Sequence, residues 1–285
     1  MPPLPRWRSL LYVPVTSERF VAKAHTRGAD AIILELEDAV APSEKERARA
    51  LVPDAAARVG QEGADVLVRI NRPWRLAVRD VEAAVGPHVR GLVLPKVDSA
   101  EHVLAVAEVV ADVERERGLP VGQTVFFPRI ESPKGLLHVA EIADAHARVV
   151  AVGLGSVDFT LATGMAAGGA GNIAATFAVV TATCVAGRVP LGLVSTITDF
   201  GDLAAFRRVA EESRDLGLRG APCVHPAQVP ILNEVFSASE AEVERARHIV
   251  GEYEQALAVG IGAITVDGEF VDVPIYEHAK RLLTR

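Results

Sequence analysis

FFPRIESPKG, residues 126–135, is the stretch on which the fold turns. Two phenylalanines lead into Pro128 and Arg129, the apolar run stops on a lone carboxylate at Glu131, and Ser132-Pro133 then has the form of a helix start. A serine can cap free N–H groups there, and a proline loses nothing at the first helical position. An acid between a strand end and a helix start has two explanations. It can face the helix N-terminus, where negative charge complements the macrodipole, or it can serve a site built where strands end.

The same grammar repeats along the chain. Short apolar runs occur at RSLLYVP (8–14), AIILELED (31–38), DVLVRIN (65–71) and GLVLPK (91–96), then at TVFFPRIE (124–131), VVAVGLGSVD (149–158), PLGLVST (190–196) and LRGAPCVHP (218–226). Most are continuous rather than alternating, as strands buried on both faces of a parallel sheet should be. Helical stretches lie between them. SEKERARALVPDAAARVG carries Ser43 and Glu46 at capping-box spacing, and SAEHVLAVAEVVADVERERG ends on Gly118. Eight such units in about 230 residues predict an α/β fold of the (β/α)8 TIM-barrel kind, with a doubly wound sheet as the competitor.

Composition bounds the function. The 285 residues are 49% hydrophobic, ample for a large core, and the net charge of −7 without a basic run argues against nucleic acid or an anionic membrane as partner. Two cysteines, Cys184 and Cys223, suit a reducing compartment, and the start MPPLPRWRSL has no apolar signal core, so a cytoplasmic protein is expected. Phe159 to Gly187 is free of charge, which raises the question of a membrane span. Gly164, Gly168, Gly169, Gly171 and Asn172 interrupt it, and a glycine loop followed by a buried helix over about 172–186 is the reading adopted.

Polar residues stand at the strand ends: Glu37-Asp38, Arg69 and Asn71, Lys96, Glu131, Asp158 and His225. In a barrel these ring the carboxyl-terminal mouth, where active sites of this fold lie. Glu131 and Asp158, from consecutive strands, suit Mg2+, which takes one or two carboxylates and keeps several waters. They equally suit two loop-capping acids paired with Arg129 or Arg148. Arg69 and Lys96 suit a substrate carboxylate, or ion pairs with Glu37 and Asp38. Arg8 and Tyr12, on the first run, are further candidates for binding substrate. Beyond residue 236, Ser239 and Glu242 form a second capping-box pair, Asp267-Gly268 is a hairpin signal and Pro274 can open a terminal helix. Residues 1–236 are thus read as the barrel, and 237–285 as a helix, hairpin and lid extension.

RSLLYVP, LELEDAV, VRIN, VLPKVDS, RIESPKGL, GLGSVDF, CVHPAQV and GEFVDVP occur in the order of the HpcH/HpaI aldolase and citrate lyase β-subunit family, which the chain resembles over nearly its whole length. The resemblance implies a Mg2+-dependent lyase, with Mn2+ as a substitute, that cleaves or forms a carbon–carbon bond next to a carbonyl. Its substrate would be a β-hydroxyacyl-CoA such as malyl-CoA or citramalyl-CoA, and its products a 2-oxo acid and an acyl-CoA enolate. The enzyme would be a homotrimer or hexamer. By motif, Glu131 and Asp158 would hold the metal, Arg69 would clamp the substrate carboxylate, Glu37 and Asp38 would order the metal's water, and Asp272 in GEFVDVP would be the acid/base. The chain departs from the family pattern at Val15 and Glu35, matches poorly over 172–200, and lacks Arg and Lys between Met165 and Asn172. Two alternatives follow: a CoA-independent aldolase releasing pyruvate from 4-hydroxy-2-oxo acids, and an inactive binding subunit of a larger complex.

Overall fold

The structure, a computed structural model, describes residues 3–195 and 201–283; Thr196, the end of the seventh expected run, lies outside them. The chain divides into two compact units, residues 1–236 and 237–285.

In the first unit the eight runs form eight strands: β1 (Ser9–Pro14), β2 (Ala31–Glu35), β3 (Asp65–Arg69), β4 (Gly91–Leu94), β5 (Val125–Ile130), β6 (Ala151–Leu154), β7 (Val189–Pro190) and β8 (Ala221–Cys223). Neighbours pair in parallel in the order β7-β6-β5-β4-β3-β2-β1-β8. The two ends of that series meet: Arg219 N–H donates to Pro190 O at 3.0 Å and Gly192 N–H to Gly220 O at 2.9 Å. The sheet is therefore a closed (β/α)8 barrel, and the doubly wound alternative is excluded. Its helices are α1 (Glu18–Ala24), α2 (Lys45–Val59), α3 (Trp74–Ala84), α4 (Ala100–Glu116), α5 (Pro133–Leu137), α6 (Val139–Asp144), α7 (Ser156–Thr163), α8 (Ala170–Val185), α9 (Leu203–Asp215) and α10 (Val229–Val235).

Period-two alternation splits the strand residues between two cores. Leu10, Ile33, Leu67, Val93, Val125 and Phe127 pack together inside the barrel. Leu11, Ile32, Leu34, Val68, Leu92 and Phe126 face outward and pack with Val52, Val81, Val106 and Ile142 of the helices. β5 carries a proline, which removes one ladder donor. The ladder with β6 breaks there: Phe126 pairs with Val149, and pairing resumes at Arg129 with Gly153, leaving one extra residue on the β6 side. This local bulge lies immediately below the end of β5, where Glu131 emerges.

Two local expectations are corrected. Ser43 and Glu46 form no capping box; a 3-10 turn over Pro42–Glu44 leads into α2, and the Glu46 carboxylate instead accepts from Arg49 Nη1 at 2.9 Å. The uncharged helix is α8, and only one face of it is buried. Ala175, Thr176, Val179 and Val180 point inward, while Ile173, Phe177 and Val185 are exposed. No helix among the described residues is long and apolar enough to cross a membrane.

The second unit contains α11 (Glu240–Ala258), the hairpin β9 (Ile264–Val266) and β10 (Glu269–Val271), and α12 (Val273–Leu283). Ser239 and Glu242 form the capping box of α11. The two-residue turn has φ of 50° at Asp267 and 85° at Gly268, the left-handed pair that a tight hairpin requires. Its core is Ile249, Tyr253, Val266, Val271, Tyr276 and Ala279, with Tyr253 and Tyr276 stacked at 4.8 Å between centroids.

Candidate active site

The inward alternation that fills the barrel with apolar side chains turns polar at its upper end. Above Leu10 comes Tyr12, above Ile33 comes Glu35, above Leu67 comes Arg69, and above Phe127 come Arg129 and Glu131. Tyr12, Glu35, Arg69, Arg129 and Glu131, with Asp38, Gly155, Ser156, Asp158, Gly192 and Leu193, line a cavity of about 350 Å3.

Three carboxylates and two cations interlock on the β2–β4 side. Arg69 Nε donates to Glu35 Oε2 at 2.6 Å, Arg69 Nη1 lies 3.0 Å from Glu37 Oε2, and the guanidinium stands over the Tyr12 ring at 5.0 Å. Glu35 Oε1 also accepts the Glu37 backbone N–H. Lys96 Nζ donates to Glu37 Oε1 and lies 3.3 Å from Asp38 Oδ2. The Arg69 contact misses hydrogen-bond alignment, so buried Glu37 Oε2 keeps an open acceptor. Burial raises the carboxyls of Glu35 and Glu37 against the pull of Arg69. Exposed Asp38 goes the other way: the little burial it has would raise it, but Lys96 and a hydrogen bond with Glu37 hold it below its usual range. Arg69 and Lys96 are both raised; burial opposes the charge on each, and the surrounding carboxylates outweigh it.

The β5–β6 side is sparser. Glu131 is 5% exposed, and among the described residues its Oε2 accepts a single hydrogen bond, from Lys96 N–H at 3.1 Å. That donor is aimed by an unusual backbone: Lys96 has φ of 51°, a left-handed conformation that costs a non-glycine residue about 1–3 kcal/mol. Burial pushes the Glu131 carboxyl up to about 7; Arg129 opposes this, and the charges of Asp158 and Glu37 add to it. Room for the side chain comes from Gly155, whose hydrogen stands where a Cβ would lie 2.3 Å from Glu131 Cγ. Asp158, half-buried in the first turn of α7, completes the pair. Ser132 caps α5 by accepting from Gly135 N–H at 3.0 Å, so Glu131 is not the cap. Two carboxylates, one of them buried with a single donor, form an incomplete oxygen ligand set. Among the described residues no group of three metal-ligating side chains gathers, which suits a cation that keeps much of its water.

The structure thus brings Tyr12, Glu37, Asp38, Arg69, Lys96, Glu131 and Asp158 to one mouth. Arg8 is not among them. It lies at the opposite end of β1, where Nε and Nη2 grip Asp30 at 2.8 and 2.7 Å, and that pairing explains an arginine in RSLLYVP. Asp272 belongs to the second unit, where its carbonyl accepts from Tyr276 N–H at 2.9 Å at the start of α12. His225 caps a short turn together with Gln228. Sequence reasoning passed over Glu35 and Arg129 as site residues, although the signal was there: each stands two residues before a recognised mouth acid, hence on the same inward face.

Comparison with known proteins fits this geometry. The profile of the family described as HpcH/HpaI aldolase/citrate lyase matches residues 8–226. The chain belongs to that family. It is 31% identical over 279 residues to the citrate lyase subunit beta of Leuconostoc mesenteroides subsp. cremoris, covering 97% of this chain and 92% of that protein. It is 33% identical over 304 aligned positions to the L-malyl-CoA/beta-methylmalyl-CoA lyase of Cereibacter sphaeroides, covering 98% and 94%. The solved structure of CitE from Mycobacterium tuberculosis, in complex with magnesium, acetoacetate and coenzyme A, superposes with a TM-score of 0.76 at 25% identity, covering 97% of this chain and 96% of that one. A citrate lyase from Burkholderia xenovorans LB400 shares the fold with a TM-score of 0.81 at 20% identity. As a member of this family the chain is a carbon–carbon lyase of the citrate lyase β-like type.

Proposed function

We propose that the mouth binds Mg2+ on Glu131 and Asp158 and cleaves a β-hydroxyacyl-CoA of the malyl- or citramalyl-CoA kind to a 2-oxo acid and an acyl-CoA. The observation that carries this reading is Glu131, a buried carboxylate with one hydrogen bond, raised to about 7, beside a second acid. A protein without a ligand for that group has little reason to keep a carboxyl buried there with so few donors. The names of relatives support the metal and the thioester: a malyl-CoA lyase, and a CitE structure with magnesium and coenzyme A.

When bound on Glu131 and Asp158, the cation would supply Lewis-acid stabilisation of the negative charge on the hydroxyl oxygen that becomes the 2-oxo group, worth several kcal/mol. The chain supplies the rest. Arg69 has Nε and Nη1 engaged by Glu35 and Glu37, which fixes its plane and leaves Nη2 for a substrate carboxylate. Glu37 and Asp38, anchored by Lys96, orient water around the metal. In cleavage the β-hydroxyl proton passes to a base at the mouth, the C–C electron pair passes to the acyl half as an enolate, and Asp272 returns a proton to carbon. An acid on a separate unit suits a step that must follow closure, because an ordinary carboxyl needs desolvation to act there. Self-association as a trimer or hexamer belongs to the same reading, and the exposed, uncharged face of α8 with Ile173, Phe177 and Val185 is suited to it.

A second reading, a CoA-independent aldolase, is favoured by the missing basic residues between Met165 and Asn172, which leave fewer counter-charges for the phosphates of coenzyme A. One experiment separates the two. Malyl-CoA, citramalyl-CoA and free 4-hydroxy-2-oxo acids are incubated with the protein in Mg2+ or EDTA, 2-oxo acid release is followed, and the same preparation is sized by sedimentation. EDTA-sensitive cleavage of a CoA ester is expected. Cleavage of free acids alone transfers the assignment to the aldolase, and cleavage insensitive to EDTA removes the metal role.

A further inference from the structure

Four acids act on the charge of Lys45, the first residue of α2: Glu35, Asp80, Glu37 and Asp38. Among the described residues it pairs with none of them. Its Nζ goes instead to two successive backbone carbonyls, donating to Leu36 O at 2.7 Å and to Glu37 O at 2.6 Å. Burial lowers the ammonium, and the four acids oppose that. The residue is half-buried and forms no part of the cavity wall. A lysine that served only its helix would stand near the C-terminus, where the macrodipole favours a cation. Lys45 stands at the opposite end, so its place needs another reason.

The two carbonyls supply one. Leu36 C=O belongs to the peptide plane before the Glu37 Cα, and Glu37 C=O to the plane after it. Each plane is rigid, so holding both fixes φ and ψ of Glu37 and with them the direction in which its side chain leaves. Glu37 N–H donates to Glu35 Oε1, and Val40 N–H donates to Glu37 O at 3.0 Å. Leu36 O also accepts from Asn71 Nδ2 at 2.9 Å. Asn71 is held in turn by Asp80, which is fully buried: Oδ2 accepts from Asn71 N–H and Nδ2 at 2.7 and 2.6 Å, and Oδ1 from Arg49 Nε at 2.6 Å. Arg49 lies one turn from Lys45 on the same face of α2. A buried framework from α2, α3 and the end of β3 thus grips the backbone on both sides of Glu37, while its carboxylate meets Arg69 and Lys96.

We propose that Lys45 is a positioning residue of the lyase: by holding the two peptide planes around Glu37 it aims that carboxylate at Arg69 and Lys96 and sets the place of Asp38. This deepens the lyase reading and rests on the role given there to Glu37 and Asp38. Lys45 itself touches no substrate.

Turnover of the CoA ester that the wild type cleaves, at saturating Mg2+, is compared with that of Lys45→Met, Lys45→Arg, Glu37→Gln and the double variant Lys45→Met/Glu37→Gln. Lys45→Met should lower kcat about ten- to a hundred-fold, the size of effect a small misplacement has, and leave KM near its wild-type value. Lys45→Arg, which keeps a cationic donor, should recover part of the loss. Because Lys45 acts through Glu37, the double variant should be no slower than Glu37→Gln alone. Wild-type kcat in Lys45→Met, with or without a lower urea midpoint, overturns the inference, and so do losses that multiply in the double variant. Amide hydrogen exchange gives a readout that needs no turnover. Lys45→Met should speed exchange over residues 36–40 by about ten-fold or more while β3 keeps its protection. Should Lys45→Met fail to fold, Lys45→Gln, with a shorter neutral donor, takes its place under the same expectations. A wild type without turnover withdraws the lyase reading, and exchange then decides on Lys45: unchanged exchange over residues 36–40 overturns its hold on Glu37.

Discussion

Glu114 and Glu131 are both buried carboxylates, and they flank the two ends of one strand, β5. At the lower end Glu114 is fully buried and accepts four hydrogen bonds: from Gly122 N–H at 2.8 Å, Thr124 N–H at 2.9 Å, and Arg148 Nη1 and Nη2 at 2.9 and 2.6 Å. Burial alone would raise its carboxyl, yet Arg148 and the backbone donors hold it below the usual range. At the upper end Glu131 accepts one hydrogen bond, its closest cation stands 4.0 Å away, and it rises to about 7. The two side chains have the same chemistry and nearly the same burial. What separates them is the number of donors each finds. A saturated buried charge belongs to the architecture, and an under-donored one waits for something that is not part of the chain.

Replacement of each acid by glutamine is the strongest way to break that contrast. Glu131→Gln should abolish 2-oxo acid release by about a thousand-fold or more, because a metal ligand is lost. Its urea midpoint above pH 7 should hold or rise, since a poorly paired buried charge is removed there. Glu114→Gln should do the reverse. It leaves Arg148 buried against a neutral amide and costs about 3–5 kcal/mol in urea unfolding, while the mouth is untouched. Equal destabilisation by the two variants would place Glu131 in the architecture and end the comparison.

The pH dependence sharpens it further. Below about 7 the metal-free Glu131 carboxyl is protonated, so a cation must displace that proton, and apparent Mg2+ affinity should fall about ten-fold per pH unit below 7 and level off above it. Stability of the metal-free protein should run the opposite way at the two sites. A raised carboxyl binds its proton more tightly in the folded state, so the stability Glu131 contributes is present in acid and fades as pH rises toward 7. Glu114, lowered, contributes stability above the ordinary carboxylate range that is lost as pH falls. Calorimetric Mg2+ titrations across this range that showed a constant affinity would mean that the cation does not meet Glu131.

How much of this was legible beforehand follows the same division. The barrel was readable because strands buried on both faces leave continuous apolar runs, as in AIILE and VFFPRI, which need no partner to be recognised. Glu131 was readable because polar residues end six of the eight runs in one register, which a helix cap does not explain, and in the structure Ser132 takes the cap. Arg8 misled because strand residues were judged by motif and not by end: Asp30, its partner, sits just before β2, and only the register of β1 against β2 brings them together. The pairing of Arg69 with Glu35 was equally hidden, since 34 residues separate them and their contact depends on the lateral register of β2 and β3. The exposed face of α8 escaped because a helix without charge reads as buried on composition alone, although surface covered by another molecule has the same composition.

His102 provides the smallest and most pointed test, because it is buried and under-partnered yet lies outside the cavity. It sits on α4, 6% exposed, edge-on to Trp74 at 5.2 Å, and its Nδ1 has no partner among the described residues. Burial, helped by the charge of Arg72 and opposed by Asp98, lowers it to about 4. The ring is therefore neutral when folded, and the unfolded chain binds the extra proton between about 6.5 and 4. Its stabilising contribution should be complete above pH 6.5 and lost on descent toward 4, by about 1–3 kcal/mol. That window lies mostly above the one in which Glu114 titrates, so urea unfolding at successive pH values resolves the two. His102→Leu should flatten the upper part of the acid limb and leave 2-oxo acid release unchanged. A loss of turnover in His102→Leu would mean that a buried group short of partners marks function even when uncharged. Unchanged turnover would confine the rule to acids that must ionise to work: a neutral ring can go without a partner at modest cost, whereas Glu131 must shed its proton to hold a cation.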